Sequence, residues 1–501
     1  MKHSLSFDIL MFVLVIAAYF AIIGDTLLTK GMFMDGLIYS NVANNLANGI
    51  GSFWHPVYTQ TQFSAFYEHP PLAMGLCSLF YALFGSGVWV GRLYSMVMTL
   101  LSALLLIRLW VCLGYERRSG WIPLILWLLI PAVSLNSHEN MLECTMGVFV
   151  LASVVLMIRG GWWRMVLAGL MLLCAFLSKG FVGLYPLVFP FVLFLFRDRN
   201  NAFTRSRAHA IQCAVHDFVV VLVSLAGSFA LVCLVWRDAW PFLSHYIQNQ
   251  VLANLDEPVV DNRWHIVVRF FEETVILWGI AVVALLILWF RRSKWLSSHG
   301  GQGVFSGSIA SFVEMCPIDP SSVRVFFKML VLTLCGVLPI MISLKQRSFY
   351  ILTVYPFLAC GTAALLHDPI VMLRRSVGKV ALVVLSVVAA AVCVVAITIN
   401  VMYCGKPGRD EVLIADMEKI VPHLQVDEVV SVDPGMGSEY SLHGYYYMQG
   451  RVSLDVRGGH RHLILDDSSL FASAGYDSAY TEIPLNTVKY KLYQKNDDGT
   501  Q

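Results

Sequence analysis

Apolar residues along this chain gather in blocks rather than alternating singly. The blocks run to roughly 17–25 residues, the length that crosses a hydrocarbon core of about 30 Å as a helix. About eleven such spans are predicted, over 8–29, 88–110, 121–136, 144–159, 165–178, 183–196, 218–236, 274–290, 328–344, 349–366 and 380–403. Two long connections interrupt them. The first, 30–87, is rich in aromatics, Gly and Asn and predicts short interfacial helices over Gly36 to Leu46 and Pro71 to Phe84; the second is 237–273. Ser293 to Val323 is rich in Ser and Gly and reads as poorly ordered. Beyond about Gly405 the hydropathy falls. Short runs at Glu428 to Val432, Tyr445 to Val456, His462 to Leu465 and Val488 to Tyr493, with a helical stretch at Asp410 to Ile420, predict a small α/β domain. The expected division is a membrane core over 1–404 and an extracytoplasmic domain over 405–501. The first block is too long for a signal peptide and lacks a small-residue cleavage pattern, so it reads as a retained anchor.

Composition agrees with this pattern. Apolar residues make up 57% of the 501 and charged residues 14%, unlike a soluble globular average. A net charge of +2 offers no basic field for nucleic acid. Most of the eleven cysteines, such as Cys112, Cys174, Cys233, Cys335, Cys360 and Cys393, lie inside apolar blocks and read as small hydrophobes; none has the spacing of a zinc finger.

Charge supplies the orientation. With the N-terminus in the cytoplasm, the connections on that side hold Arg117 and Arg118, Arg159 and Arg164, Arg197, Arg199, Arg205 and Arg207, Arg291, Arg292 and Lys294, and Arg374, Arg375 and Lys379. Each is basic, as the positive-inside rule requires. The opposite face carries Asp35, Glu68, Glu139, Glu143, Asp256, Glu257, Asp261, Glu272 and Glu273, with Lys179, Arg263, Arg269, Lys345 and Arg347 near span ends.

Chemistry is expected on that face. Asp35 follows the first span, and Tyr39 lies one helical turn beyond it on the same side; the alternative role for Asp35 is that of a helix cap. In Phe66-Tyr67-Glu68-His69-Pro70-Pro71-Leu72 the two prolines disfavour helix before them and start one after. They hold Glu68 and His69 on a rigid turn.

With these residues in view, the first 370 positions or so resemble the GT-C family of integral-membrane glycosyltransferases. That family includes the bacterial aminoarabinose transferases of lipid A and the protein O-mannosyltransferases. The pieces that carry the resemblance are Asp35 to Tyr39 with the Asn/Ala/Leu helix after it, Glu68 to Leu72, Phe84-Gly85, Gly91-Arg92, Ser178-Lys179-Gly180, and Ser343 to Tyr350 before Pro356 and Leu358-Ala359.

The resemblance implies a polytopic all-α membrane core of the GT-C fold and transfer of a sugar from a polyprenyl-phosphate donor to a hydroxyl or phosphate acceptor, with inversion. Asp35 would be the base and Glu139 the second acid, with Glu143 as its alternative. Lys179, Lys345 and Arg347 would meet the leaving phosphate, and interfacial snorkelling is their alternative role. Tyr39, Glu68, His69, Arg263 and Tyr350 complete the expected substrate-binding set.

Some positions depart from the family pattern. Gly36 stands where many relatives have a second acid, His69 where aminoarabinose transferases commonly have Lys, and Glu139 where Asp is frequent, which leaves the donor sugar open. The acceptor, whether lipid, glycan or protein, is equally open. No cofactor is required; a divalent Zn, Mg or Mn ion on Glu68 and His265 is an additional possibility. A bacterial cytoplasmic (inner) membrane is the expected home. A transporter or flippase of lipid-linked saccharide is the alternative, and it would call for ionisable residues deep within the spans.

Overall fold

The computed structural model describes residues 2–197, 206–253, 259–298, 319–466 and 479–496. Arg199, Arg205, Asp256, Glu257 and most of the Ser/Gly-rich stretch of 293–323 lie outside the described residues. The chain is a multi-pass membrane protein. Among the described residues, eight helices are long and apolar enough to cross a bilayer: Leu5–Ile22, Val88–Cys112, Leu142–Arg159, Trp162–Lys179, Arg207–Val235, Ser321–Ile342, Ser348–Ser376 and Lys379–Tyr403. A ninth arises if His265–Glu273 and Val275–Trp289, bent by 72° at Thr274, count as one span.

Each of the eleven expected segments is at least partly helical, but not all are full spans. Pro131 cannot donate to a helical ladder, and the 121–136 segment is broken into Trp121–Leu128 and Pro131–Asn136. The 183–196 segment carries Pro186 and Pro190 and folds as 3-10 turns followed by the short helix Phe189–Leu195.

Between the first two spans, the predicted interfacial helices form as Met34–Ala47 and Leu72–Phe84. The second long connection contains Ala239–Tyr246 and a π-helical turn over Ile247–Leu252 before His265–Glu273.

The C-terminal region forms a five-stranded sheet: β1 Val429–Val432, β2 Ser453–Asp455, β3 His462–Asp466, β4 Tyr480–Ile483 and β5 Tyr490–Lys495. The order is β2-β1-β3-β5-β4, with β2, β1 and β3 parallel and the last two pairings antiparallel. The run Tyr445 to Val456, expected as extended chain, is instead the helix Tyr440–Gly450 followed by β2. Leu442, Tyr445 and Tyr446 explain the difference: at spacings of three and four they bury one helical face in the domain's core. The helix Glu411–Ile420 packs alongside, and its buried Asp416 accepts the N–H groups of Val488, Lys489 and Tyr490 at 2.7–3.0 Å, fixing the start of β5.

Charge within the helices is less confined to surfaces than the sequence suggests. Asp8, in the first helix, and Arg374, near the end of Tyr355–Ser376, are both buried. Arg374 donates to Asp8 at 2.9 Å and to Glu116 at 3.1 Å, while Trp121 Nε1 donates to the other Asp8 oxygen at 3.2 Å. Each group lies near a helix end, not at mid-span. This pair fastens the first helix to the core. Arg374→Met leaves the Asp8 carboxylate buried without its partner, a change that costs about 3–5 kcal/mol. Thermal unfolding in detergent should show a lower transition for Arg374→Met and recovery of most of it in Asp8→Leu/Arg374→Met.

Candidate active site

Three parts of the chain meet around Asp35. It occupies the second position of the helix Met34–Ala47, whose N-cap is Phe33, and no side chain caps this helix from within. Asp35 is therefore not a helix cap. Burial raises its pKa, and the charges of Lys179 and Arg347 pull it back down. The helix N-terminus favours the ionised form in the same direction as those cations.

Lys179 ends the helix Trp162–Lys179 and is buried. Its ammonium pairs with Glu143 and lies over the rings of Phe349 and Tyr350, 5.1 and 5.0 Å from their centroids. Gly180 makes this ending possible. It has φ +99°, and a Cβ there would come within 1.8 Å of the Tyr246 hydroxyl, which donates to the Lys179 carbonyl at 3.3 Å.

The third part is the stretch from Ser343 to Tyr350. Gln346 is buried; its side chain accepts the Ile266 N–H at 2.7 Å and donates to the Arg263 and Ser343 carbonyls at 3.1 and 2.8 Å. It ties the Arg263 turn to the segment that carries Lys345, Arg347 and Tyr350.

Glu68 and His69 complete the group. Gln250 donates to the Glu68 carboxylate. The His69 ring meets Tyr39 edge-on at 5.7 Å, and its Nδ1 is buried with no hydrogen-bond partner among the described residues. Burial, with Lys179 and Lys345 adding to it, pushes the His69 pKa well below its ordinary value, so the ring is neutral. Asp35, Glu68, His69 and Tyr350 are half-buried and Arg347 is exposed, which leaves the group reachable from outside the bundle. Such an arrangement holds a carboxylate that can accept a proton beside cations that can hold an anion.

Residues 68–226 match the dolichyl-phosphate-mannose-protein mannosyltransferase family. The whole chain superposes on two crystal structures of ArnT from Cupriavidus metallidurans. For the apo state the TM-score is 0.62 at 15% identity over 97% of each chain; for ArnT bound to undecaprenyl phosphate it is 0.60 at 14% identity over 98% of each. No curated sequence matches it. The fold is that of the GT-C glycosyltransferases.

Within this GT-C fold the expected site residues divide. Asp35, Tyr39, Glu68, His69, Lys179, Lys345, Arg347 and Tyr350 belong to one electrostatic group. Glu143, the alternative second acid, joins it through Lys179. Glu139 is turned elsewhere: its carboxylate accepts the Phe33 N–H at 2.8 Å and lies 3.6 Å from Arg92. Arg263 contributes its carbonyl to Gln346, and its own side chain is exposed. His265 opens the helix His265–Glu273, and Glu68 is engaged by Gln250. Among the described residues no group of three or more His, Cys, Asp or Glu is placed to hold a metal ion.

Arg269, Glu272 and Glu273 form a separate cluster. Arg269 pairs with both acids, and Glu273 accepts the Ala132 N–H at 2.9 Å at the start of Pro131–Asn136. Sequence reasoning missed Gln250, Gln346 and the role of Arg92. Of these only Arg92 carries a signal, as a charge in the second turn of an apolar span.

The Lys179 ending predicts a test. Gly180→Ala forces a left-handed backbone and a clash with Tyr246, and should lower stability by about 1–3 kcal/mol. Tyr246→Phe in that background relieves only the clash, so a denaturation midpoint fully restored by it would show that the backbone strain is absent.

Proposed function

We propose that the chain transfers a sugar from a polyprenyl-phosphate donor to a hydroxyl or phosphate on a lipid, glycan or protein acceptor, on the extracytoplasmic face of a bacterial cytoplasmic membrane. The observation that carries this reading is the half-buried Asp35 carboxylate beside Lys179 and Arg347. Its fold-mate ArnT was crystallised with undecaprenyl phosphate, which supports a donor of that class.

In this mechanism the acceptor oxygen attacks the anomeric carbon while the bond from that carbon to the phosphate oxygen breaks on the opposite side. The configuration inverts. Asp35 takes the acceptor proton, and polyprenyl phosphate leaves with the bonding electrons. Its growing negative charge meets Lys179, Arg347 and Lys345, fixed cations that need no reorganisation during the reaction. Glu143 holds the Lys179 ammonium toward Tyr350. Neutral His69, with Glu68 and Tyr39, presents hydrogen-bonding groups to sugar hydroxyls.

A transporter or flippase gains little support, because the buried charges at Asp8, Arg92 and Glu143 lie near helix ends and make direct pairs.

Deletion of the gene should remove a single-sugar mass from an envelope component seen by mass spectrometry. Asp35→Asn should fail to restore that mass; restoration to the wild-type level would remove Asp35 as base. The pH dependence has a defined sign. Asp35 accepts a proton only when ionised, so transfer falls as pH drops through its pKa, which burial has raised. Arg347→Ala removes a charge that lowers this pKa, so the acidic limb of the rate profile should move to higher pH. An unmoved limb would separate Arg347 from Asp35.

A further inference from the structure

The connection Thr29–Phe33, which delivers the chain from the first span to the Asp35 helix, has its backbone polar groups bound by four distant parts of the chain. The Lys30 and Gly31 N–H groups each donate at 2.8 Å, to the carbonyls of Lys406 and Pro407. The Met32 N–H donates to the Tyr445 hydroxyl at 2.8 Å, and Tyr445 in turn lies 3.1 Å from Asp410. The Phe33 N–H donates to Glu139. On the acceptor side, the buried Arg92 guanidinium donates to the Thr29 and Gly31 carbonyls.

Glu139 has a further role that its partners define. In a capping box, the acid at the third helical position reaches back to the N-cap N–H. Here the third position is Gly36, which has no side chain, and Glu139 supplies that bond to Phe33 from another part of the chain. The close approach is reciprocal: a Cβ on Gly36 would come within 1.8 Å of the Glu139 carbonyl oxygen. One turn on, Asn140 donates to Ser40 at 2.9 Å. Asp35, flanked by these contacts, takes no part in capping, and its carboxylate stays within the field of Lys179 and Arg347.

We infer that Glu139, Arg92 and Tyr445 are positioning residues, which fix Thr29–Phe33 so that Asp35 is held at the cations while the C-terminal domain, through Tyr445, braces the same stretch. This rests on the proposed transfer reaction with Asp35 as base. It gives the C-terminal domain a defined part in that reaction and moves Glu139 away from direct contact with substrate.

The test uses the full-length protein with undecaprenyl phosphate as the binding probe, transfer scored in the deletion strain, and hydrogen exchange of the peptide covering 29–36. Glu139→Ala and Tyr445→Phe should each lower transfer at least tenfold and speed exchange in that peptide. Affinity for undecaprenyl phosphate should stay within about twofold, since the cations that meet it are untouched; that binding also reports that each variant is folded. Glu139→Gln, whose side-chain carbonyl still accepts from Phe33, should transfer better than Glu139→Ala.

Four outcomes would overturn the inference: wild-type transfer by both Glu139→Ala and Tyr445→Phe, exchange unchanged in both, Glu139→Gln as impaired as Glu139→Ala, or affinity lost in parallel with transfer. Asp35→Asn, run beside them, separates the two ideas. Full transfer by that variant removes the base while leaving the exchange results to judge the brace.

Discussion

The site depends on one buried ammonium. Lys179 sits at the end of an apolar helix with almost no exposure, and an uncompensated charge there would cost several kcal/mol. Three features offset that cost. Glu143 pairs with the ammonium directly, and the faces of Phe349 and Tyr350 lie against it. Asp35 adds its field from the neighbouring helix. The compensation is divided among partners on separate elements, so Lys179 draws those elements together. It is also why the helix must end where it does: Gly180 lets Tyr246 approach the last carbonyl, and a side chain at that position would push the two apart.

Three acids near this point carry the same formal charge and do different work because their surroundings differ. Asp35 has cations nearby in the structure and a half-open face. Glu143 is wholly buried and is committed to Lys179. Glu139 is buried too, but its partners are a backbone N–H and a guanidinium that itself binds two carbonyls. Of the three, Asp35 alone is placed to exchange a proton with something from outside. Spacing along the sequence could not sort Glu139 from Glu143, since both lie in one short stretch. What sorts them is which neighbouring element each faces, and that is a tertiary property.

The same limit explains what was legible at the start. Long apolar blocks give the helices almost directly, because a bilayer-length run has few other ways to satisfy its backbone. The failures came where proline or aromatics intervene: Pro131 splits one expected span, and Tyr445 and Tyr446, good strand formers singly, bury a helical face together with Leu442, three and four residues before them. Within the site, the charged and turn-forming residues announced themselves through chemistry that an apolar chain rarely carries idly. Gln250, Gln346 and Tyr445 did not. Their importance lies in buried bonds to backbone or to a carboxylate, and nothing in residue type or spacing marks them.

The brace on the Asp35 helix also gives a physical account of Gly36. A capping acid at that position would satisfy the Phe33 N–H locally, with no need of Glu139. It would also set a second carboxylate beside Asp35, on the first turn of the same helix. Like charge at that distance would raise the Asp35 pKa and, in the proposed reaction, repel the leaving phosphate. Supplying the acid from the 137–143 turn keeps the hydrogen bond and removes the repulsion, because Glu139 lies against Arg92, whose charge offsets its own. The constraint then runs backwards through the fold. With no side chain at 36, the Glu139 carbonyl can press against the helix, and Arg92 can reach past it to the carbonyls of Thr29 and Gly31. The glycine at 36 is, in this chain, the condition for Asp35 to be the one acid in the first turn of its helix, beside cations that Glu143 already partly balances.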